Sequence, residues 1–269
     1  VKKQGKYNLN NQLQNLGSKV TMGKSLKLKQ NKILIMCGGR GKRLGSISKS
    51  IPKPLMNIGK RTILEYKVEQ YQRQGFNDFI FCVGYKGELI RNLVKQIDGI
   101  QAEFSDAGES AGILSRLNFA KSLFDEQVLM TYGDTFTDLQ LSALNSAHQK
   151  KNNEATIVVA PIKNPFGLVE FNAEQQVTYF KEKPTLIYFI GYAVINKSAL
   201  ELIPDKVINM PDGEGIVTFF KILMGMDLLG CYFHSGIQTT FNTPEELKIA
   251  KKDIVNFFTT IEDNKYEKS

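Results

Sequence analysis

The segment CGGRGKRLGSISKSIPKPL, residues 37–55, holds four glycines, five cations and two prolines in nineteen residues, and no acid. It follows a short apolar run, NKILIM, and precedes RTILEYKVEQYQRQG, in which Ile63, Tyr66, Val68 and Tyr71 recur at a roughly helical spacing. A buried strand is therefore expected to run through a glycine-rich loop into a helix. In α/β proteins that junction offers backbone N–H groups and a helix N-terminus to phosphates. Pro52 and Pro54 restrict the backbone on either side of Lys53 and predict a stiff, extended segment that fixes this one cation. A lysine that only solvates a surface needs no such constraint. The loop is not a Walker A sequence: Met36 stands where a glycine is required, and Arg43 follows Lys42 in place of Ser or Thr. Nor is it a dinucleotide fingerprint, because Leu44 occupies the third glycine position.

The charge is divided unevenly. Residues 1–64 carry 15 Lys and Arg without an acid, while the rest of the 269-residue chain has 20 cations against 27 acids, behind a net charge of +8. Eight of those lysines fall in residues 1–32, on a polar stretch rich in Asn, Gln and Gly. Residues 1–31 read as a basic, weakly ordered extension; an arm contacting a second copy in a homo-oligomer, or a site for an anionic partner, are the alternatives. No nucleic-acid role is expected, since Tyr7 is the one aromatic residue in that stretch and the charge lacks aromatic interleaving. Apolar runs such as ILIMC and FIFCV reach only five residues, and nothing resembles a signal peptide, so neither a membrane span nor export is expected. Cys37, Cys82 and Cys231 lie far apart in apolar runs and read as buried free thiols of a cytoplasmic protein.

Beyond the loop, strand-like and helix-like stretches alternate. DFIFCVG, IQAEFS and QVLMTYGDTF read as strands, separated by helices at KGELIRNLVKQI and AGILSRLNFAKSLF. LQLSALNSAHQKK follows as a helix with Leu139, Leu141, Leu144 and Ala147 near one face, which puts His148 on the surface and leaves His234 open. From residue 155 the stretches ATIVVAPI, FGLVEFN, QQVTYFKEKP and YFIGYAVI are strand-like, and helices return at SALELI and PEELKIAKKDIVNFF. The pattern predicts an α/β fold: a Rossmann-like, mostly parallel sheet flanked by helices, with a smaller β-rich insertion at about 155–196. The expected organisation is a single domain over 32–260 and a tail at 261–269.

GGRGKRLGSISKSIPKPLMNIGKRTILEY resembles the N-terminal signature of sugar-1-phosphate nucleotidyltransferases, G-G-x-G-x-R-L followed by P-K-P. ESAGIL is similar to their G-T-A-G-A-L turn, TYGDTFTD to their metal-binding strand, FGLVEF with FKEKP to their sugar-pocket hairpin, and TPEELKIA to their closing helix. The resemblance spans residues 33 to about 251, and GYKGELI with YGDTFTDLQLSALNSAH is most similar to the glucose-1-phosphate cytidylyltransferase branch. It implies transfer of a nucleoside monophosphate from a nucleoside triphosphate to a sugar-1-phosphate with release of pyrophosphate, for cell-surface polysaccharide precursors. CTP is the first expected donor and GTP the second.

The same resemblance assigns roles residue by residue. Arg43 and Lys53 would be catalytic, and Gly38, Gly39, Gly41, Ser110 and Gly112 would bind the nucleotide. Gly167, Glu182 and Lys183 would hold the sugar phosphate, and Asp134 would hold Mg²⁺. Arg40 and Lys42 read as solvated neighbours, and Asp138 as an N-cap for the helix that follows. The reaction suits these residue types. A phosphate monoester with a second pKa of about 6 is already an anionic nucleophile at neutral pH, so no histidine base is required. What is needed is to bring two anions together in line and to neutralise their charge.

Two departures stand out. The family pattern D-x-G-T-P-E puts a second metal-binding Asp where this chain has Thr240, and a glycine where it has Asn242. Asp227 is an alternative source of that acid. The strand YFIGYAV lacks the family's Asn or Gly before Gly191. These departures keep open a second reading, a nucleotide- or sugar-phosphate-binding regulatory protein of the same fold with weak or no transferase activity.

Overall fold

The computed structural model describes residues 31–41, 50–211, 213–241 and 243–266, with side chains to residue 258. The basic extension expected over residues 1–31 falls almost wholly outside the described residues. The chain runs β1 (Ile33–Met36), a 3-10 turn (Lys53–Leu55), β2 (Asn57–Ile58), β3 (Arg61–Thr62), α1 (Ile63–Arg73), β4 (Asp78–Val83), α2 (Gly87–Val94) and β5 (Gln101–Asp106). Next come α3 (Ile113–Phe119), β6 (Gln127–Tyr132), β7 (Thr135–Thr137), α4 (Leu141–Gln149), β8 (Ala155–Lys163), β9 (Leu168–Phe171), β10 (Val177–Lys181) and β11 (Thr185–Asn196). The last elements are α5 (Asp205–Ile208), α6 (Glu214–Gly225), β12 (Leu229–Phe233), β13 (Gln238–Thr240) and α7 (Pro244–Tyr266).

Seven strands form one sheet in the order β12-β8-β11-β6-β1-β4-β5. Every neighbouring pair is parallel except the two that involve β11. Strand alternation explains why both faces are covered. Ile33 and Ile35 of β1 pack with Leu64, Val68 and Tyr71 of α1 on one face, while Leu34 packs with Leu114 and Leu117 of α3 on the other. Helix α1 starts sharply because Thr62 and Glu65 form a reciprocal capping box. A third cluster packs α7, through Leu247, Ala250, Ile254 and Phe258, onto Met56, Ile58, Phe136 and Phe241. Among the described residues no helix is long and apolar enough to cross a membrane.

The architecture is the Rossmann-like one expected, with corrections in detail. In the β-rich stretch from 155 to 196, β8 and β11 join the central sheet, and β9 with β10 makes a separate two-stranded hairpin. SALELI forms only a short 3-10 turn at Lys197–Leu200, whereas α6 was not anticipated. Cys231 is exposed, because β12 is an edge strand; Cys37 and Cys82 are buried free thiols as expected. His148 is not at the surface. It faces the sheet, with Nδ1 at 2.8 Å from Thr156 Oγ1 and Nε2 at 2.9 Å from Asn196 Oδ1. Asp138 does not cap α4, whose N-cap is Gln140 without a side-chain bond; it lies 3.0 Å from His234 Nε2 instead.

Candidate active site

A cleft of about 620 Å³ opens at the carboxyl ends of β1, β5 and β6, where a doubly wound sheet binds its ligands. Its walls include Gly38, Gly39, Arg40 and Gly41 after β1, Lys53 and Pro54, Glu109 to Ala111 after β5, and Gly133 and Asp134 after β6. Gly38, Gly39, Gly41, Ser110, Lys53 and Asp134, singled out from the sequence, thus share one cavity. Gly112 is not in its wall; it is the buried N-cap residue of α3. Arg43 and Lys42 lie outside the described residues. Arg40 is ion-paired with Glu109 at 2.5 Å across the mouth of the cleft, rather than simply solvated.

Lys53 differs from expectation in its backbone. Pro52 is extended, but Lys53 itself opens a 3-10 turn closed by Leu55 N–H to Pro52 O (2.9 Å) and Met56 N–H to Lys53 O (3.1 Å). These two bonds compensate for the usual reluctance of a residue before proline to turn. The outcome is still a fixed cation. Its side chain is 9% exposed, with Nζ 2.5 Å from Asp134 Oδ2 and 5.1 Å from the Phe241 ring centre.

Asp134 reaches the cleft because of the glycine before it. A Cβ on Gly133 would lie 2.6 Å from Met36 O and 2.9 Å from Pro54 Cγ, so any other residue would force β6 away from β1. Arg116 of α3 went unnoticed in the sequence, yet it ties the cleft together from below. Buried at 4% exposure, it donates to Val83 O, to Gly38 O (3.2 Å) and to Glu109 O (3.3 Å), linking the loops that follow β1, β4 and β5. Gly38 and Gly84 leave room for its guanidinium: a Cβ on either would fall within 2.5 Å of Nη1. Cys37 also lines the cleft, but burial, with Cys82 beside it, pushes its thiol far up and leaves it no nucleophile.

Gly167, Glu182 and Lys183 lie apart from this cavity, grouped at the base of the β9–β10 hairpin. A Cβ on Gly167 would touch the Phe180 ring and Glu182 Oε2 at 3.3 and 3.4 Å. Lys183 Nζ is 3.8 Å from Glu182 Oε1, and both side chains are exposed. The hairpin belongs to the same end of the sheet as Asp134. Tyr192 pairs antiparallel with Thr131, so residues 185–190 of β11 run past the end of β6 and carry the hairpin beyond it.

Residues 32–196 match the family model described as nucleotidyl transferase. The chain belongs to that family. It is similar to a glucose-1-phosphate cytidylyltransferase of Salmonella typhimurium, 30% identical over 202 residues that make up 64% of this chain and 77% of the relative. A D-glycero-alpha-D-manno-heptose 1-phosphate guanylyltransferase of Campylobacter jejuni is 33% identical over 155 residues, 56% of this chain and 67% of that one. The solved UDP-glucose pyrophosphorylase complexed with UDP-glucose shares the fold, with a TM-score of 0.64 at 15% identity over 84% of this chain and 98% of that one.

In this nucleotidyltransferase Thr240 and Asp227 stand in very different places relative to Asp134. Thr240 pairs with Thr135, and its hydroxyl donates to Asp134 O at 3.3 Å, so it lies directly beside Asp134. Asp227 is at the opposite end of the sheet. It precedes β12, whose Leu229 pairs with Ala155, which pairs with Ile195, which pairs with Val128 near the start of β6. Asp134 lies six residues beyond Val128, roughly 20 Å along the strand direction. Among the described residues no cluster of three metal-binding side chains forms. Of the two acids in the cleft, Glu109 is paired with Arg40 and Asp134 with Lys53.

Proposed function

We propose that this enzyme transfers a cytidylyl group from CTP to a sugar-1-phosphate and releases pyrophosphate, with GTP as the second candidate donor. The observation that carries the reading is the Lys53–Asp134 pair, closed at 2.5 Å inside the glycine-lined cleft. The cytidylyl and guanylyl donors named for the relatives support the order of preference. A cytoplasmic setting suits a triphosphate-consuming enzyme whose buried Cys37 and Cys82 are free thiols.

The backbone at Gly38, Gly39 and Gly41 can approach the triphosphate without side-chain bulk, and Lys53 can leave Asp134 to meet a phosphate oxygen. The sugar-1-phosphate oxygen attacks the α-phosphorus and pyrophosphate departs, a reaction in which placement and charge neutralisation dominate. We assign to Arg43 a second fixed charge on the phosphates. To Ser110 and Gly112 we assign the nucleoside side, and to Gly167, Glu182 and Lys183 the sugar phosphate. Mg²⁺ accepts one or two carboxylates and takes its other ligands from water and substrate oxygens, a minimum that Asp134 meets. Held there, the ion would neutralise charge on both phosphates. A screen of the four ribonucleoside triphosphates and dTTP against several sugar-1-phosphates, following pyrophosphate release, tests the function. Release is expected with at least one pair, and with CTP above the others; none from any pair with Mg²⁺ would refute the reading.

Two variants separate the parts of the site. Lys183→Ala should raise KM for the sugar phosphate and leave triphosphate affinity within a few-fold, measured by calorimetric titration; loss of triphosphate binding would show that its role is misassigned. Thr240→Asp should lower the Mg²⁺ concentration giving half-maximal turnover, because a neutral hydroxyl competes poorly with water for a reluctantly dehydrated ion. Asp227→Asn should leave that midpoint unchanged. A magnesium titration of both variants tells, and an unmoved midpoint for Thr240→Asp would be the contrary result.

A further inference from the structure

A buried ammonium lies beneath the Asp134 turn, and nothing in the proposed chemistry uses it. Lys67 sits in the middle of α1 with no solvent exposure. Its Nζ donates to Thr135 O, to Tyr192 Oη at 2.8 Å and to Thr131 Oγ1 at 3.1 Å. Both hydroxyls spend their own protons elsewhere, Tyr192 on Thr135 O (3.1 Å) and Thr131 on Tyr132 O (3.3 Å), and so act as acceptors at Lys67. Three acceptors around one nitrogen fit –NH₃⁺ and leave no place for an amine lone pair. Among the described residues no carboxylate is ion-paired with Lys67, while the nearby Asp134 is engaged by Lys53. The Tyr192 and Tyr71 ring centres lie 4.8 and 5.5 Å from Nζ, but a buried cation without an anionic partner is costly, and a helix position facing a core would ordinarily hold an apolar side chain.

We infer that Lys67 is a positioning residue of the transfer site, which holds the turn bearing Asp134 through Thr131 and Thr135 and whose uncompensated charge raises the affinity of the cleft for the triphosphate. The two acceptors bracket Asp134 in sequence, so the lysine grips both sides of the turn from the core while its field extends into the cleft. The low dielectric between them screens that field little. The inference rests on reading the cleft as a triphosphate site, and the wild-type protein tests that reading separately.

The experiment titrates CTP, and GTP in parallel, into the full chain in EDTA by calorimetry, with thermal unfolding measured on the same samples. Wild-type binding tests the cleft, and absence of binding in EDTA and in Mg²⁺ alike would remove the site itself. If wild type binds, Lys67→Met, of similar length but neutral, is expected to weaken binding roughly tenfold, the scale of one unit charge acting through protein. Tyr192→Phe keeps the charge and removes one acceptor. It should lower the unfolding temperature but hold the dissociation constant within twofold. A purely structural lysine would give the reverse: unfolding shifts in both variants and unchanged affinity in both, which would overturn the inference. If Lys67→Met does not fold, the combined Lys67→Met/Tyr192→Phe/Thr131→Val replaces the network with apolar groups of similar shape and is titrated instead. Failure of that variant to fold would also overturn the inference, by making the lysine a requirement of folding.

Discussion

Lys53→Ala should slow turnover by roughly 10²–10³ with every acceptor that the wild-type enzyme uses, the scale of losing one charged donor from a preorganised site. The fold should survive, because the carboxylate left behind on Asp134 is 26% exposed and can rehydrate. The reason for the uniform loss is position. Lys53 opens the 3-10 turn after Pro52, lies against Phe241 and reaches Asp134 in the cleft, so it acts where the phosphates must meet and not where the sugar is read. Steady-state rates of pyrophosphate release with two or more acceptors check this. A loss confined to one acceptor would assign Lys53 to the sugar pocket instead.

Arg116→Met should be the most destabilising single change in the cleft. It removes a buried guanidinium and its bonds to the carbonyls of Val83, Gly38 and Glu109, of which Gly38 O keeps the Tyr85 N–H at 3.2 Å and exposed Glu109 can turn to water. At about 1–3 kcal/mol for a buried carbonyl left unsatisfied, with the weaker loss of the other two bonds added, the cost should be on the order of 2–4 kcal/mol. For a chain of this size that corresponds to a fall of about 5–15 °C in Tm. Triphosphate binding should weaken as well, since Arg116 holds the loops after β1 and β5 from below, beneath the Arg40–Glu109 pair. Gly38→Ala should act in the same direction from the other side, because its Cβ would sit 2.2 Å from Arg116 Nη1. Differential scanning calorimetry measures both, and an unfolding temperature within 2 °C of wild type for Arg116→Met would contradict this role for the arginine.

What the sequence shows well is whatever local chemistry dictates. The glycine loop, the Pro-flanked Lys53 and the Tyr-Gly-Asp end of β6 are each contained in a few residues, and the alternation of strands and helices needs no long-range information. What it hides depends on partners distant in the chain. Asp138 has the composition of a helix cap, but His234, almost a hundred residues further along the chain, lies against it. Arg116 looks like an ordinary helical cation until Gly38 and Gly84 are seen to make room for it. Helix α6 is apolar around much of its surface and starts at Gly213 without a side-chain cap, so neither periodicity nor a cap marked it. Two other positions carry a visible signal. His148 follows Leu141 by seven residues and Leu144 by four, and Lys67 lies midway between Ile63 and Tyr71. Both therefore fall on the buried stripe of their helices.

Phosphorus-31 NMR of a single reaction mixture tests the proposed transfer most directly. The wild-type chain is incubated with Mg²⁺, the triphosphate and the sugar-1-phosphate that give the fastest pyrophosphate release. The expected spectrum loses the sugar phosphate monoester and gains the paired signals of a diphosphate diester, with one pyrophosphate for each diester formed. Lys53→Ala under the same conditions should show almost none of either over the same time. Orthophosphate accumulating with the sugar phosphate unchanged, or an unaltered spectrum with wild-type protein, would contradict nucleotidyl transfer at this cleft.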